Sequence, residues 1–231
     1  MGLSSVIIAF YAVNISTGQL AIQKSQIEIQ QQQVQAQMQQ HLPSIAVRYS
    51  LRRNSNPRLD DLIISNEGAD LFNPEFGVIV FFNPRELKIV RLDSKSIANS
   101  KLQSAKIPVI NFFRNVSYAS SEAKGELYRV AGNDQSEWEK TIGQFERSHV
   151  TDSKSMTSNF QIFVSAKYLD RFRKPHIEYF EVSSMGELPI DNAKGEELFQ
   201  IYNDAIKLSK MLNLGTSSLK EVQNLWNENK H

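Results

Sequence analysis

Two kinds of periodicity divide the chain. Between residues 19 and 40 apolar side chains recur every seven positions in two series, Leu20, Ile27 and Val34, then Ile22, Ile29 and Ala36, set among eleven glutamines in 22 residues. Glutamine is a good helix former, and this spacing predicts an α-helix. The series lie five and two positions apart, which separates them by more than about 90° around a helix. Two such stripes suit a bundle of several helices better than the single seam of a two-stranded zipper. An equal alternative is a Gln-rich tether that is helical only while joined to a membrane helix. Pro43 disfavours the α conformation for the residue before it, so the helix is expected to stop near Leu42.

Beyond Pro43 the pattern turns to alternation. Ile45, Val47, Tyr49 and Leu51 alternate with Ala46, Arg48 and Ser50, as in a strand with one buried face. Residues 62–65 end in the turn signal Asn66-Glu67-Gly68, and residues 76–82 (FGVIVFF) are apolar enough for the centre of a sheet. Weaker runs occupy residues 87–92, 107–113 and 127–130. Residues 160–168 alternate cleanly, and a second strand over 176–182 makes a hairpin with them. Seven or eight short strands separated by turns predict an antiparallel β-sandwich or barrel over residues 44–183. Trp138, Ile142 and Phe145 suggest a short helix across one end of the sheets. Residues 190–231 return to helical spacing. Asp191 or Asn192 caps a helix carrying Leu198, Phe199, Tyr202 and Leu208 to Met211, which Leu214-Gly215 stops, and Ser217 or Ser218 caps a last helix with Val222 and Trp226.

The amino-terminal end is the most apolar stretch. No charge precedes Lys24, and residues 3–15 (LSSVIIAFYAVNI) are largely apolar. The uncharged residues 2–23 are long enough for a hydrocarbon core of roughly 30 Å, although the strongly apolar part is shorter than a span needs. The competing assignment is a buried element of the globular part. A secretory signal is disfavoured because no Lys or Arg lies in the first five residues, and Val6 stands where N-myristoylation wants Ser or Thr. A continuous helix over residues 2–42 would reach roughly 60 Å and would have to project. Lipid contact through residues 3–23 is therefore the expectation, together with self-association through the Gln-rich helix. Lys24, with no basic residue before it, favours a cytoplasmic globular domain.

Composition changes this picture little. Hydrophobic residues at 41 % and charged residues at 22 % fit a folded chain, and 26 basic against 25 acidic residues give a net charge of +1, too balanced for a nucleic-acid coat. The absence of cysteine removes disulfides, thiolate metal sites and a cysteine nucleophile. His41, His149, His176 and His231 show no metal-ligand spacing, and the adjacent acids Asp60-Asp61 and Glu196-Glu197 are expected to face solvent. No glycine-rich phosphate loop or nucleophile elbow is recognisable, so no catalytic residue, metal or cofactor is assigned. Two basic groups remain, Arg48, Arg52, Arg53 and Arg58 near the first turn, and Arg171, Phe172, Arg173 and Lys174 at the tip of the late hairpin. The second could meet an anion or a partner, with Phe172 between two arginines able to stack. Solvated loops are the plainer interpretation of both.

The order of an apolar segment, a Gln-rich helix ending in LP, and IISNEGADLFNPEFGVIVFF resembles a loose group of uncharacterised bacterial single-pass membrane-anchored proteins. VSAKYLDRFRKPHIEYFEV is similar to a hairpin of that group, with Tyr168 and Asp170 in its aromatic-x-Asp motif. The resemblance spans roughly residues 6–182. It implies an immunoglobulin-like sandwich and membrane anchoring, and no catalytic residues. The expected architecture is mainly β with helical ends: an anchor over 1–23, a stalk over 19–42, the sandwich and the carboxy-terminal helices. The expected function is a membrane-tethered, non-enzymatic scaffold that binds an unidentified protein. The alternative is a ligand-sensing domain for a nucleotide, glycan or peptide.

Overall fold

A computed structural model describes residues 19–20, 22–34, 37, 42–52, 59–92, 95–119 and 124–231. The chain forms two units, residues 1–42 and residues 43–231. In the first, residues 22–34 are helical (α1), as the heptad spacing predicts. The apolar residues 3–15 lie outside the described residues. No helix among those described is long and apolar enough to cross a membrane.

The second unit is mainly β. Strands β1 (Ile45–Arg52), β2 (Leu59–Asn66), β7 (Gly125–Gly132) and β6 (Phe113–Ala119) form a four-stranded antiparallel sheet in the order β1-β2-β7-β6. A seven-stranded sheet has the order β10-β9-β8-β3-β5-β11, from β10 (Gly186–Ile190), β9 (Pro175–Ser183), β8 (Lys154–Leu169), β3 (Phe72–Leu92), β5 (Ile107–Ile110) and β11 (Leu212–Asn213), with β4 (Lys95–Ser104) paired to the far part of β3. Among the described residues only the β5–β11 pair is parallel.

The 21-residue β3 is the axis of the fold. Its alternate residues serve different layers. Val80 and Phe82 enter a core shared by both sheets, with Val47, Leu62, Ile64, Leu127 and Val130 from the smaller one and Ile162, Val164 and Phe180 from the larger. Ile79 and Phe81 point the other way, to Phe163 and Leu198. Leu198 belongs to helix α3 (Asn192–Lys207), which covers the outer face. Burial on both faces explains why the run FGVIVFF does not alternate. Helices α2 (Ser136–Ser148) and α4 (Leu219–Asn229) close one end of the inner core, where Phe145 packs edge-on to Phe82 and Trp226 at 6.0 and 6.3 Å between ring centres.

Several boundaries differ from the sequence expectation. The runs over 76–82 and 87–92 are one strand, continuous through Pro84, because β8 pairs with it from Phe72 to Lys88. The run over 107–113 breaks at Asn111, whose φ of 60° turns the chain from one sheet to the other. Helix α3 ends at Lys207 rather than beyond Met211: Ser209 is left-handed (φ 55°), and Leu212 is buried in β11 beside Val109. Strands β4 and β10 were not expected. The first is polar, and the second contains Pro189, tolerated because β10 is an edge strand.

Candidate functional site

The late hairpin is built around one carboxylate. Strands β8 and β9 pair as far as Leu169 and Pro175, leaving the five-residue loop Asp170 to Lys174. Asp170 is 1 % exposed. Its Oδ1 accepts the N–H groups of Phe172 (2.8 Å) and Lys174 (2.9 Å), and its Oδ2 lies 2.9 Å from His176 Nε2. Asp170 C=O accepts from Arg173 N–H at 2.8 Å, which accompanies the left-handed φ of 61° at Arg173. Burial alone would raise the Asp170 pKa, but the hydrogen bonds from His176, Lys174 and Phe172 outweigh it and hold the carboxyl below its ordinary range.

Tyr168 stacks on His176 with ring centres 5.3 Å apart and planes 16° from parallel, and its hydroxyl donates to Glu178. Burial first, and then the Glu178 carboxylate, push the Tyr168 phenol above the usual tyrosine range. These contacts stiffen the base of the loop. Its tip presents Arg171, Phe172, Arg173 and Lys174, all exposed, with Phe172 at 60 %. The Arg173 guanidinium lies 4.2 Å from the Phe72 ring centre and Arg171 lies 5.4 Å from that of Phe172. The four residues singled out from the sequence thus sit together on a preformed loop with three positive charges around an exposed aromatic ring. An open groove of about 530 Å³ runs beside its base, lined by Asn73, Glu75, Lys167, Tyr168, Pro175 and His176 among others.

The other basic group is not brought together as a site. Arg48 pairs with Glu67 at 2.7 Å, Arg53 and Arg58 lie outside the described residues, and only the backbone of Arg52 is described. Glu196 and Glu197 are exposed as expected, but Asp61 is 5 % exposed, a correction to its expected solvent position. Its strand β2 lies between β1 and β7, with Ser50 and Ala131 as its flanking partners. His41 lies outside the described residues, and the His149 ring packs tilted against Phe145, 4.6 Å between centres and 50° between planes. Among the described residues no group of three or more His, Cys, Asp or Glu side chains could hold a metal ion.

A second exposed feature lies on α1 and at Leu20 just before it. Leu20, Ile22, Ile27, Ile29 and Val34 are each between 51 and 60 % exposed. Both heptad series therefore carry large apolar side chains facing solvent. Sequence reasoning missed His176 and Glu178, which the strand pairing brings to Asp170 and Tyr168. An aspartate opening a loop whose later residues need amide acceptors was the available signal for the Asp170 hub. No known protein family, curated protein or solved structure matches the chain.

Proposed function

We propose that the chain is a membrane-tethered, non-enzymatic scaffold of bacterial origin. In this reading residues 1–23 anchor it in lipid, the Gln-rich helix joins copies, and an immunoglobulin-like β-sandwich with its carboxy-terminal helices binds another protein in the cytoplasm. The observation that carries the proposal is the exposure of both apolar series of α1. An isolated helix of this length is marginal in water, and most helical stability in proteins comes from packing an apolar face. Burial of an aliphatic side chain contributes roughly 1.5–3 kcal/mol, so packing such residues between copies supplies what the helix lacks alone. Two separated stripes favour more than two helices. The Arg171 to Lys174 loop supports partner binding, because a stiff loop loses little entropy on docking and an exposed aromatic flanked by arginines is a common interface anchor. With a balanced net charge, nucleic acid is not the partner this reading favours.

Sedimentation equilibrium of the full chain in neutral detergent tests the proposal. The wild type is expected as an oligomer, and the double variant Ile27→Glu, Ile29→Glu as a monomer with an unchanged β-sheet spectrum. Equal monomeric masses for both would overturn self-association through this helix. Reversing the charges of Arg171, Arg173 and Lys174 tests the loop: unchanged affinity for a polyanion such as heparin removes nucleic acid, while loss of a partner co-purified from solubilised membranes supports protein contact.

A further inference from the structure

Among the described residues, the larger sheet is incomplete along one side of β3. Strand β8 pairs with β3 from Phe72 to Lys88, whereas β5 covers the opposite side only from Val80 to Phe82. The direction of the backbone groups follows from the bonds present. Leu214 N–H donates to Ile110 C=O at 3.2 Å, so Ile110 turns its backbone toward β11, and Pro108, two residues earlier, faces the same way. Ile107 and Val109 therefore face Phe82 and Val80, and the Ala105 N–H continues that ladder to Pro84 C=O at 3.2 Å. By the two-residue period of a strand, Phe76 and Val78 turn their N–H and C=O groups to the same side. The chain leaves at the left-handed Asn111 before a strand can meet them.

A cleft of about 280 Å³ opens at this gap, lined by Val78, Val80, Phe113, Arg114, Tyr128 and Tyr202 among others. Arg114 is exposed and forms no salt bridge among the described residues. An acid that its charge reaches, Asp134, already accepts the Ser136 N–H at 3.0 Å.

We infer that this notch binds an extended acidic peptide segment of another protein, which adds beside residues 76–78 of β3 as a continuation of β5 and places an Asp or Glu side chain on Arg114. Three observations select this occupant. Unmet backbone donors and acceptors along a strand are matched by another backbone. The Arg114 guanidinium, which forms no salt bridge among the described residues, takes a carboxylate, often in two parallel hydrogen bonds. Antiparallel addition, the commoner sheet geometry, runs in the direction of β5 and sets the beginning of the peptide against Asn111. The carboxylate near Arg114 then comes from a side chain rather than a terminus. The cleft is at the small end for ligand pockets, roughly 300 Å³, so only one or two peptide side chains enter it and main-chain pairing does the rest.

This deepens the protein-binding reading by giving the β unit a peptide site, and it is independent of α1. The test pans short random peptides displayed on phage against the full chain in detergent, then measures the synthetic consensus by fluorescence anisotropy. Enriched peptides are expected to carry Asp or Glu at a fixed position, to lose affinity about tenfold or more against Arg114→Glu, and to fail when N-methylated at the pairing residues. The Val78 amide is expected to exchange with solvent faster than that of Val80 in the free chain and to become protected on binding. No enriched sequence, binding indifferent to Arg114→Glu, or a Val78 amide already protected in the free chain would each overturn the inference. Peptide binding by the monomeric Ile27→Glu, Ile29→Glu variant would separate this site from the oligomer.

Discussion

Two glycine-to-alanine substitutions should move stability in opposite directions, and the structure says which. Gly195 lies in the first turns of α3, where its N–H donates to Asp191 C=O at 2.9 Å. A Cβ added there would come within 2.7 Å of Tyr179 Cβ and overlap the Cγ and Cδ2 atoms of its ring. Those atoms are at the root of a side chain on the central strand β9, so they cannot swing aside. The helix would have to lift by roughly 1 Å, a gap that forfeits a quarter to a half of each contact it opens. The contacts at stake are those of Leu198, the Tyr179–Phe199 ring pair at 5.6 Å, and the Tyr202 hydroxyl on Val109 C=O at 2.9 Å. Overpacking of this kind costs up to about 3 kcal/mol, against a gain of about 1 kcal/mol from replacing glycine in a helix. Gly195→Ala is therefore expected to destabilise by about 2 kcal/mol, or some 4–8 °C in Tm for a unit of this size.

Gly143 is the control. In α2 its added Cβ would meet only the Arg147 guanidinium, at 3.3 Å, the mobile end of a long side chain. Gly143→Ala should keep most of the propensity gain and stabilise by roughly 0.5–1 kcal/mol. Urea unfolding followed by tryptophan fluorescence, with Trp138 and Trp226 both buried, reads both. A Gly195→Ala protein as stable as the wild type would refute the packing of α3 on β9.

Asp170→Asn should lower Tm at neutral pH. A carboxyl whose pKa is depressed in the folded state stabilises above its ordinary unfolded value and loses that contribution as pH falls through the folded one, so the gap from wild type should narrow below about pH 4. A gap constant down to pH 3 would contradict the hydrogen-bonded carboxylate. Ser218→Ala removes the side-chain half of the α4 capping box, the Ser218 Oγ that accepts the Glu221 N–H at 3.4 Å, while the backbone N–H of residue 218 keeps its 2.6 Å bond to the Glu221 carboxylate, and is expected to cost about 1 kcal/mol with a Trp226 emission that shifts at lower urea. Tyr168→Phe should remove a tyrosine from the most alkaline part of an ultraviolet titration, since burial and Glu178 hold that phenol above the usual range. Loss of an early-titrating tyrosine instead would place Tyr168 in water.

Local signals carried much of the fold. Alternation found β1 and β8, the hairpin followed from residues on either side of one loop, and the two helix starts were each narrowed to two candidate caps, of which Asp191, accepting from Ala193 N–H at 2.9 Å, and Ser218 make the side-chain cap. What escaped depends on distant partners. Strand β4 has no pattern of its own and is defined by pairing with β3. The apolar run of β3 could mark its centre but not its ends, which β8 sets. The candidate loop was legible as charged and aromatic residues at a turn. The gap beside Val78 was not, because it exists only where β5 is shorter than the strand it pairs with.

Flotation of an unfractionated bacterial lysate on a density gradient, followed by an alkaline carbonate wash, tests the tether most directly. The full chain is expected to rise with the bilayer fraction and to stay there after the wash. A full chain that remains at the bottom of the gradient, soluble and unaggregated, would contradict it.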